Sequence, residues 1–389
     1  MRILVLGGDG FLGWPSAMHL SAAGHLVAVG DSMIRRRYDE ELGVESLVPI
    51  AGLAERVRAW SEVSGQSIGV YEGDLTDPVF THDMVEDFRP DTIVHFAEQR
   101  SAPYSMIDQA HAVHTQVNNV VGTLNLLYAI AEVDRDIHLV KLGTMGEYGT
   151  PNIDIEEGWL ELTHNGRSDR VLFPKRPGSF YHLSKVHDSH NIEFACRIWG
   201  LRATDLNQGI VYGVATDETE RDERLATRFD YDAVFGTVLN RMVTQAVMEE
   251  PLTVYGSGRQ IRGLLNIRDT VECIRIASET PAAPGEFRVF NQFTESLSVG
   301  QIAETVAHAY PGDCKVEYLE NPRVEAESHY YNAVHRGLLD LGLTPHLLAD
   351  TLIESLFDIV GRHRDRIDPA AIRPTVRWRE TSNPRLLTS

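Results

Sequence analysis

Six apolar runs rich in β-branched residues alternate with helical patterns over the first 213 residues, and this alternation constrains the fold most. Strands that alternate with helices form a parallel sheet covered by helices on both faces. The sequence therefore predicts an α/β protein with a Rossmann-type doubly wound parallel sheet, whose ligands bind beyond the carboxyl ends of the strands. The predicted strands lie at 2–8, 25–31, 67–74, 91–98, 138–144 and 202–213, and the clearest helices span 11–23, 50–63, 113–132 and 182–199.

Beyond residue 213 the pattern breaks into shorter elements, and the segment 215–232 is the most polar part of the chain. We expect two lobes in a chain of this length. A nucleotide-binding Rossmann domain would comprise 1–213 together with returning segments near 260–295. A smaller C-terminal α/β lobe, mostly 214–389, would bind the substrate, and the last ten or so residues are expected to form a loose tail.

The composition excludes several classes of protein. A formal net charge of −20 argues against binding nucleic acid or anionic membrane surfaces. No apolar run approaches the thickness of a bilayer, and the start of the chain reads as a core strand rather than a signal peptide. The three scattered cysteines, Cys196, Cys273 and Cys314, predict no metal site or disulfide. We therefore expect a cytoplasmic protein, with a removed organelle-targeting peptide left open.

A glycine-rich turn follows the first predicted strand and opens the first helix. The sequence GGDGFLG places glycines at Gly7, Gly10 and Gly13. Such a turn lets a pyrophosphate approach backbone N–H groups at the N-terminus of a helix. Glycine-rich turns are common, and this one indicates nucleotide binding only because it lies between a strand and an apolar helix. It predicts a dinucleotide cofactor.

The end of the second strand indicates which dinucleotide binds. Asp31 lies 18 residues after Gly13, where a carboxylate bonds the ribose diol of adenosine and repels a 2′-phosphate, so NAD is favoured over NADP. Arg35 complicates this, because an arginine there can serve a phosphate or lie in a solvated charged turn. Asp74 ends the third strand and either meets the adenine or caps a helix.

A tyrosine–lysine pair, Tyr181 and Lys185, lies at the start of the predicted helix 182–199, and its spacing puts both side chains on one helical face. A lysine ammonium stabilises phenolate, so we expect the tyrosine pKa to fall from about 10 toward neutrality. By itself this pair is frequent by chance, and a surface helix is the alternative. Together with the glycine turn and with Thr144 at the end of a strand, it predicts hydride-transfer chemistry.

These motifs resemble those of the extended short-chain dehydrogenase/reductases that modify nucleotide sugars. The segment 118–129 is similar to the central helix of that family. Several longer stretches, among them HFAEQRSAPYSMID and VKLGTMGEYGTPNIDIEEG, resemble the members that add sulfite to a UDP-linked glucose. The resemblance extends from residue 1 to about 380. For the cofactor site it implies NAD, bound additionally by Phe11, Leu12, Ser32, Leu75, Asn118 and Val211.

The resemblance also implies UDP-glucose and sulfite as substrates, a UDP-linked sulfonated sugar as product, and a homodimer. Oxidation of C4 to a ketone makes the C5 proton acidic, so water can be lost across C5–C6. Sulfite then adds at C6, and C4 is reduced again. We expect Thr144 to bond the C4 hydroxyl beside Tyr181. We expect the helix 113–132 and the helix after Tyr181 to form the dimer interface. A separate sulfite-delivering protein is left open.

Met145 occupies a position that matters for this chemistry. In related 4,6-dehydratases the threonine is followed by an Asp-Glu pair, which aligns with Met145 and Gly146. A carboxylate about 4 Å from sulfite would repel each of its charges by roughly 4 kcal/mol at an effective dielectric near 20. A neutral, polarizable methionine avoids that repulsion.

Another group must then help the C6 hydroxyl to leave. His182 is our candidate donor, with a histidine that caps the helix as the alternative. Glu147 is a candidate base at C5 or an acceptor that orients another group, with a charged turn residue as the alternative.

An acidic protein needs local positive charge to bind a UDP-sugar and sulfite. Arginine offers two donors in a fixed fork, which suits phosphate and sulfite oxygens. We expect Arg100 to bind the sugar or the sulfite anion, and Arg262 and Arg323 to bind the phosphates. Surface ion pairs are the alternative for each. The other residues expected to bind substrate are Thr144, Gln208, Thr237, Val254, Tyr255 and Glu325.

Two other functions stay open at this stage. A UDP-sugar 4-epimerase or a 5,6-dehydratase of the same superfamily would keep Thr144, Tyr181 and Lys185, and Met145 does not exclude them. A non-catalytic NAD-binding sensor is the alternative outside the enzymes. Sensors on this fold typically lose the tyrosine or the lysine, and both are present here.

Overall fold

The computed structural model describes residues 1–326, 330–348 and 352–379, so the predicted tail lies outside the described residues. The strands are β1 (Arg2–Leu6), β2 (Leu26–Asp31), β3 (Ile68–Glu72), β4 (Thr92–His95), β5 (His138–Thr144), β6 (Trp159–His164), β7 (Arg167–Leu172), β8 (Arg202–Gln208), β9 (Ile210–Tyr212), β10 (Leu252–Tyr255), β11 (Ile261–Asn266), β12 (Phe287–Gln292), β13 (Glu295–Ser298) and β14 (Val316–Leu319).

The helices of the described residues begin and end as follows: α1 (Gly13–Ala22), α2 (Ile34–Leu42), α3 (Leu53–Ser64), α4 (Pro78–Phe88), α5 (Gln109–Gln116), α6 (Gly122–Val133), α7 (Phe180–Trp199), α8 (Val238–Val247), α9 (Ile267–Glu279), α10 (Val299–Ala309), α11 (Gly337–Asp340) and α12 (Ile353–Arg362). The helical patterns read from the sequence correspond to α1, α3, α5–α6 and α7. The helices α2 and α4 and the hairpin β6–β7 were not predicted.

Seven strands form one parallel sheet in the order β12-β8-β5-β4-β1-β2-β3. Every neighbouring pair in this sheet is parallel. The order reverses between β1 and β4, which opens a crevice at the carboxyl ends of these strands. The predicted Rossmann-type doubly wound sheet is therefore confirmed.

Both faces of the sheet are buried, which explains why its strands read as continuous apolar runs. Along β1, Ile3 and Val5 point into one apolar cluster, while Leu4 and Leu6 point into another on the opposite face. The edge strand β12 returns to the sheet beside β8 from much later in the chain. The proposed boundary at residue 213 stays a prediction.

A second group of elements packs around its own apolar core. It contains the parallel pair β10–β14, the sheet β13-β11-β9, and the helices α8, α10 and α12. The Thr237 side chain accepts a hydrogen bond from the Asn240 backbone N–H and so caps the N-terminus of α8. The capped N-terminus of α8 lines a cavity together with residues of the loop after β4 and of α7.

The helices α5 and α6 form one continuous run, joined by a π-helical turn at Val117–Val121. The predicted helix 113–132 is thus part of a longer helix, from Gln109 to Val133. No helix of the described residues is both long enough and apolar enough to cross a bilayer.

Candidate active site

The glycine turn between β1 and α1 forms the floor of a first cavity, the cofactor cavity. Gly7 has a positive φ of 86°, and its N–H donates to the Gly30 carbonyl at 2.7 Å. A Cβ on Gly13 would lie 2.0 Å from the Gly7 carbonyl oxygen, so α1 can begin this close to the turn only with glycine there. The turn thus has the close backbone packing that a pyrophosphate cradle requires.

Asp31 lies at the carboxyl end of β2 and lines the cofactor cavity. Its Oδ2 accepts from the Asp9 backbone N–H at 2.8 Å and its Oδ1 from the Met33 N–H at 2.7 Å. Burial raises the pKa of Asp31, and these two N–H bonds oppose the rise. The bonds fix the carboxylate at the position where it would accept from a ribose diol.

Arg35 is not in a solvated turn. Its guanidinium forms ion pairs with Asp39 and, at 3.2 Å, with Asp230. It also stacks on Phe235, with its central carbon 3.6 Å from the ring centroid. Because its guanidinium is held by Asp39 and Asp230 and lies against Phe235, Arg35 is poorly placed to turn toward a 2′-phosphate, which supports NAD over NADP.

Asp74 lines the same cavity, and it is not the residue that caps the following helix. Asp77 caps α4 by accepting from the Val79 N–H at 2.9 Å. Asp74 instead accepts from the backbone N–H and the hydroxyl of Thr76. Asp74 therefore does not cap α4, and its expected contact with the adenine stays a prediction.

Tyr181 and Lys185 lie in the first two turns of α7 and both line the cofactor cavity. The Lys185 ammonium lies 5.9 Å from the Tyr181 ring centroid, donates to the Leu142 carbonyl at 2.5 Å and pairs with Glu98 at 2.7 Å. Burial raises the pKa of Tyr181, and Lys185 only opposes this rise. The expectation of a lowered tyrosine pKa is wrong here, because desolvation of the phenol outweighs the ammonium.

A second cavity, the substrate cavity, joins the first. Tyr181, Arg100 and Phe235 line both. The remaining wall of the substrate cavity comes from the loop after β4, the N-terminus of α8 and the segments that contain β10, β11 and residues 321–325. The phenol of Tyr181 thus stands where the two cavities meet.

Positive charge is concentrated in the substrate cavity. Arg262 pairs with Glu325 at 2.7 Å, while Arg241 stacks over Tyr255 at 4.4 Å from the ring centroid. Burial and the nearby charges of Arg262 and Arg241 lower the pKa of Arg323 to about 10. Three guanidinium groups therefore share one carboxylate, which is the electrostatic setting of a diphosphate site.

Arg100 occupies the junction of the two cavities. It forms an ion pair with Asp230 and donates to the Phe235 carbonyl at 3.4 Å. Asp230 also pairs with Arg35, so one buried carboxylate links an arginine of the cofactor side to an arginine of the substrate side. This shared partner fixes both guanidinium groups relative to Tyr181.

His182 points into the substrate cavity. The Ser179 hydroxyl oxygen accepts from the His182 backbone N–H at 3.1 Å and lies 3.0 Å from His182 Nδ1. Since that oxygen already accepts, its own hydrogen is available to Nδ1, which favours the tautomer with a hydrogen on Nε2. Burial lowers the pKa of His182 to about 4, so near neutral pH this ring is an uncharged hydrogen-bond donor.

The ring of His182 lies directly against Gly146. A Cβ on Gly146 would be 2.4 Å from His182 Nε2 and 2.5 Å from Cδ2. A larger residue at position 146 would therefore clash with the imidazole in this position. The glycine allows the histidine to reach the strand end next to Thr144.

Comparison with known proteins gives a consistent result. The NAD dependent epimerase/dehydratase family matches residues 3–291. The chain is 56% identical over 384 residues to the chloroplastic UDP-sulfoquinovose synthase of Spinacia oleracea, covering 97% of this chain and 79% of that protein. It is 44% identical over 386 residues to the UDP-sulfoquinovose synthase of Sulfolobus acidocaldarius, covering 98% of both.

The chain belongs to the UDP-sulfoquinovose synthases of the NAD dependent epimerase/dehydratase family. The resemblance and the cofactor inferred from the sequence are thereby confirmed. Among solved structures, the UDP-glucose 4-epimerase of Thermus thermophilus in complex with NAD superposes with a TM-score of 0.64 at 22% identity, covering 94% of this chain and 100% of that one. That likeness supports the fold.

In this family member, the structure brings most predicted site residues to the two cavities. The cofactor cavity is lined by Gly7, Gly10, Phe11, Leu12, Gly13, Asp31, Ser32, Arg35, Asp74, Leu75, Asn118, Tyr181 and Lys185. The substrate cavity is lined by Arg100, Tyr181, His182, Thr237, Tyr255, Arg262, Arg323 and Glu325.

Three predicted site residues lie beside the cavities rather than in their lining. They are Thr144 at the end of β5 and the two residues Met145 and Glu147 that follow it. Met145 packs in a small apolar cluster with Tyr148 and Phe173. Glu147 is fully buried, bonds the Thr144 N–H and pairs with two lysines, which lower its pKa to about 2 against the effect of burial. This geometry fits Glu147 as an orienting acceptor and not as a base that touches sugar.

Three other predicted residues face away from both cavities, each for a local reason. Gln208 donates to Gln292 at 3.1 Å within the sheet. Val211 packs in a buried cluster with Leu12, and Val254 packs in the core of the second group of elements. On β10 successive side chains alternate, so Tyr255 reaches the cavity and Val254 cannot.

Several residues of the site were missed from the sequence. Glu98 and Gln99 follow β4 and line the cofactor cavity, as the rule for strand ends could have indicated. Arg241 lies inside an amphipathic helix, and nothing in its sequence neighbourhood distinguishes it. Among the described residues no group of three or more metal-ligating side chains occurs.

Proposed function

We propose that this chain converts UDP-glucose and sulfite into UDP-sulfoquinovose through a transient 4-ketone. The observation that carries the proposal is the junction at Tyr181, where a cavity suited to NAD meets a cavity rich in arginine. The name shared by its relatives of 56% and 44% identity supports the same reaction.

At C4, Tyr181 exchanges a proton with the hydroxyl group. The positive charge of Lys185 favours the phenolate. Thr144 lies beside the cavities, and its Oγ1 accepts from the Gly146 N–H at 3.2 Å, so its hydroxyl hydrogen is the group we assign to the C4 oxygen. NAD, when bound, would supply the hydride acceptor for the oxidation at C4 and the hydride donor for its reversal. The residues that would hold it are those of the glycine turn with Asp31, Asp74 and Lys185.

At C6, His182 donates a hydrogen bond from Nε2 to the departing hydroxyl. Loss of the C5 proton and of this hydroxyl releases water and leaves a 5,6-ene-4-ketone. Sulfite, entering as HSO3−, then forms a carbon–sulfur bond at C6 and gives its proton to C5, so the proton that Tyr181 took from the C4 hydroxyl remains available for the reduction of C4. The two positions that hold an Asp-Glu pair in 4,6-dehydratases are Met145 and Gly146 here, and the imidazole of His182 fills the space that a side chain at position 146 would take.

The substrate cavity accepts an anion although the chain carries a net charge of −20. Of the described residues that line it, Glu325 is the one carboxylate, and Arg262 neutralises it. Gly146, with the uncharged His182 ring against it, keeps negative charge away from C6. Arg100 lines both cavities together with Tyr181 and is our candidate ligand for sulfite.

For the UDP group, the three arginines Arg241, Arg262 and Arg323 bind the diphosphate. The Tyr255 hydroxyl and the Gln260 Oε1 are buried without a hydrogen-bond partner among the described residues. Buried polar groups are rarely left unpaired, so we assign these two to the uracil and ribose of the substrate.

We also propose that the protein is a homodimer. One face of the continuous helix Gln109–Val133 exposes Val113, Val117, Val121, Leu124 and Tyr128, and the neighbouring helix α7 exposes Phe194 and Ile198. Contiguous exposed apolar residues on paired helices mark an interaction surface. Light scattering should give twice the chain mass, and a monomer would refute the proposal.

The source of sulfite and the location of the protein stay predictions. Sulfite can arrive free or from a delivering protein, and comparing turnover with free sulfite to turnover in cell extract separates the two. We expect a cytoplasmic protein, although the relative from Spinacia oleracea is named as chloroplastic.

The decisive experiment incubates the purified protein with UDP-glucose, NAD and sulfite and follows the nucleotide sugars by mass spectrometry. We expect a sulfonated UDP-sugar, and only slow formation of a dehydrated 4-keto sugar when sulfite is omitted. Formation of UDP-galactose without any sulfonated product would instead identify an epimerase.

A further inference from the structure

Glu98 contributes a buried carboxyl group to the cofactor cavity, and the proposed reaction assigns it no role. The residue follows β4 and lines this cavity together with Tyr181 and Lys185. Its side chain is 1% exposed, and Glu98 Oε2 lies 2.7 Å from the ammonium nitrogen of Lys185. A buried carboxylate is thus paired directly with the lysine that serves the catalytic tyrosine.

The sheet places this ion pair at the end of the cavity where hydride transfer is proposed. In the order β4-β1-β2-β3, the strand β4 lies on one side of β1, and β2 and β3 lie on the other. Asp31 and Asp74, which we assign to the adenosine, lie at or just beyond the carboxyl ends of β2 and β3. The Lys185 ammonium lies 5.9 Å from the Tyr181 ring centroid. The Glu98–Lys185 pair therefore belongs to the nicotinamide end of the cavity.

Lys185 is the cation that neutralises Glu98. The other basic side chain within ion-pair distance is His95, whose Nε2 lies 3.7 Å from Glu98 Oε1. Burial lowers the pKa of His95 to about 4, so its ring is uncharged near neutral pH. Among the described residues no group donates a hydrogen bond to Glu98 Oε1. The negative charge of Glu98 is therefore balanced by Lys185 alone.

Without this carboxylate, Lys185 would discriminate between the two forms of the cofactor. The nicotinamide ring of NAD carries a positive charge when oxidised and none when reduced, so an ammonium beside it repels the oxidised form only. In a buried site water screens this repulsion poorly. A carboxylate paired with the ammonium cancels most of the difference.

We propose that Glu98 sets the preference between oxidised and reduced cofactor, by neutralising Lys185 so that the nicotinamide cation can lie beside the lysine. Glu98 is a positioning residue, because it acts through Lys185. The proposal rests on the hydride transfer at C4 in the proposed function. That cycle needs the oxidised cofactor to be bound at the start and the reduced cofactor to stay bound until C4 is restored.

This role accounts for an acidic residue at a place where it opposes proton transfer. Burial raises the pKa of Tyr181, Lys185 lowers it, and Glu98 raises it. A neutral residue at position 98 would leave Lys185 as the stronger activator of the phenol. Balanced binding of the two cofactor forms is the benefit that offsets this disadvantage.

The first test is Glu98→Gln, which keeps the size of the side chain and removes its charge. Titration of the NAD-loaded enzyme with NADH, followed by the fluorescence of bound NADH, gives the ratio of Kd for NAD to Kd for NADH. At about pH 8, between the ordinary pKa values of glutamate, about 4.3, and lysine, about 10.4, we expect this ratio to rise about tenfold. A ratio equal to that of the wild type, or a lower one, would overturn the proposal.

The matched control is Glu218→Gln, which lies outside both cavities. The Glu218 side chain is 6% exposed, and its Oε1 lies 3.0 Å from His19 Nδ1. This variant also removes a buried carboxylate from a hydrogen-bonded pair, but it should leave the ratio unchanged. A ratio that rises equally in both variants would mean that any loss of buried charge has this effect, which contradicts a specific role of Glu98.

A second comparison covers the case in which Glu98→Gln does not fold because Lys185 is left buried without a partner. Lys185→Met removes the ammonium, and the double variant Lys185→Met/Glu98→Gln removes both charges. With the lysine absent from both proteins, the Glu98 carboxylate should favour the nicotinamide cation. We therefore expect the ratio to be about tenfold lower in Lys185→Met than in the double variant. Equal ratios would overturn the proposal.

Neither comparison includes UDP-glucose or sulfite. A wild-type enzyme that forms no sulfonated sugar would refute the proposed function and leave these ratios as they are. Unchanged ratios in an enzyme that forms the sulfonated sugar would refute the role of Glu98 alone.

Discussion

The two cavities that meet at Tyr181 are built in different ways. The cofactor cavity is formed largely by the ends of consecutive strands and by one glycine turn within the first part of the chain. The substrate cavity combines residues near 100, 182, 241, 262 and 323, which are far apart in sequence. Local structure therefore specifies the first cavity, while the packing of distant segments specifies the second.

Their charges differ as well. On the cofactor side Arg56 and Arg36 both pair with Asp9. On the substrate side Arg241 has no carboxylate of the described residues within ion-pair distance and is still buried. A buried charge without a partner is costly, so the substrate side is completed electrostatically only by an anionic ligand.

The largest effect should follow from removing the group that both cavities share. In Tyr181→Phe we expect kcat to fall by about 10³-fold or more, because proton exchange at C4 is lost. Calorimetry should show unchanged affinity for NAD and UDP. Undiminished turnover in this variant would remove the basis for treating the junction of the two cavities as a reaction centre.

The next largest effect concerns the substrate side alone. In Gly146→Ala the new methyl group would displace the His182 ring, because a Cβ at this position would lie 2.4 Å from His182 Nε2. We expect sulfonated product to fall by about 10²-fold while NADH formation from UDP-glucose continues. Gly361→Ala, where a side chain meets open space, is the control. An equal loss of sulfonated product and of NADH formation would mean that Gly146 is needed for the oxidation at C4 as well as for the chemistry at C6.

Replacing a buried arginine should change the free energy of unfolding in opposite directions on the cofactor side and on the substrate side. Arg56→Met leaves Asp9 with one arginine and should lower the free energy of unfolding by about 3 kcal/mol. Arg241→Met removes an unpaired buried charge and should raise it by about 1 kcal/mol, with UDP affinity roughly tenfold weaker. Urea unfolding and calorimetry measure both. Destabilisation by both variants would contradict the proposed difference between a paired arginine on the cofactor side and an unpaired one on the substrate side.

The last expected effect is a pH dependence of stability on the substrate side. Burial lowers the pKa of His182 from 6.5 to about 4, so the unfolded chain binds a proton below pH 6.5 that the folded protein refuses until about pH 4. Stability should therefore fall as the pH falls through this window, by about 2 kcal/mol from this residue at pH 4.5. His182→Gln should lose less stability than the wild type between pH 7 and 4.5, and the exposed His187→Gln should match the wild type.

Where the sequence was informative, the relevant geometry is local. Gly7, Gly10 and Gly13 lie in one turn, and Tyr181 and Lys185 lie on one helical face, so spacing alone predicted their placement. The same argument failed for the tyrosine pKa, because spacing indicates the nearby ammonium but not the desolvation of the phenol.

The sequence drew attention to Met145 and Gly146 after Thr144, but it gave the main role to the wrong one of the two. It assigns the neutral surface near C6 to Met145, but the side chain of Met145 packs in an apolar cluster. Gly146 provides the space, and His182 fills it. Adjacent side chains on an irregular turn have no fixed direction, so only the folded chain shows which one faces the cavity.

By itself the sequence determined the parallel sheet, the dinucleotide turn and the tyrosine–lysine pair, because hydrophobic periodicity and short spacings act within a few residues. The tertiary structure decided which arginines share a cavity, that Glu147 is tied to two lysines and that Asp188 is buried without a partner. Those facts depend on contacts between segments distant in the chain, and burial and charge at such contacts cannot be read from local spacing.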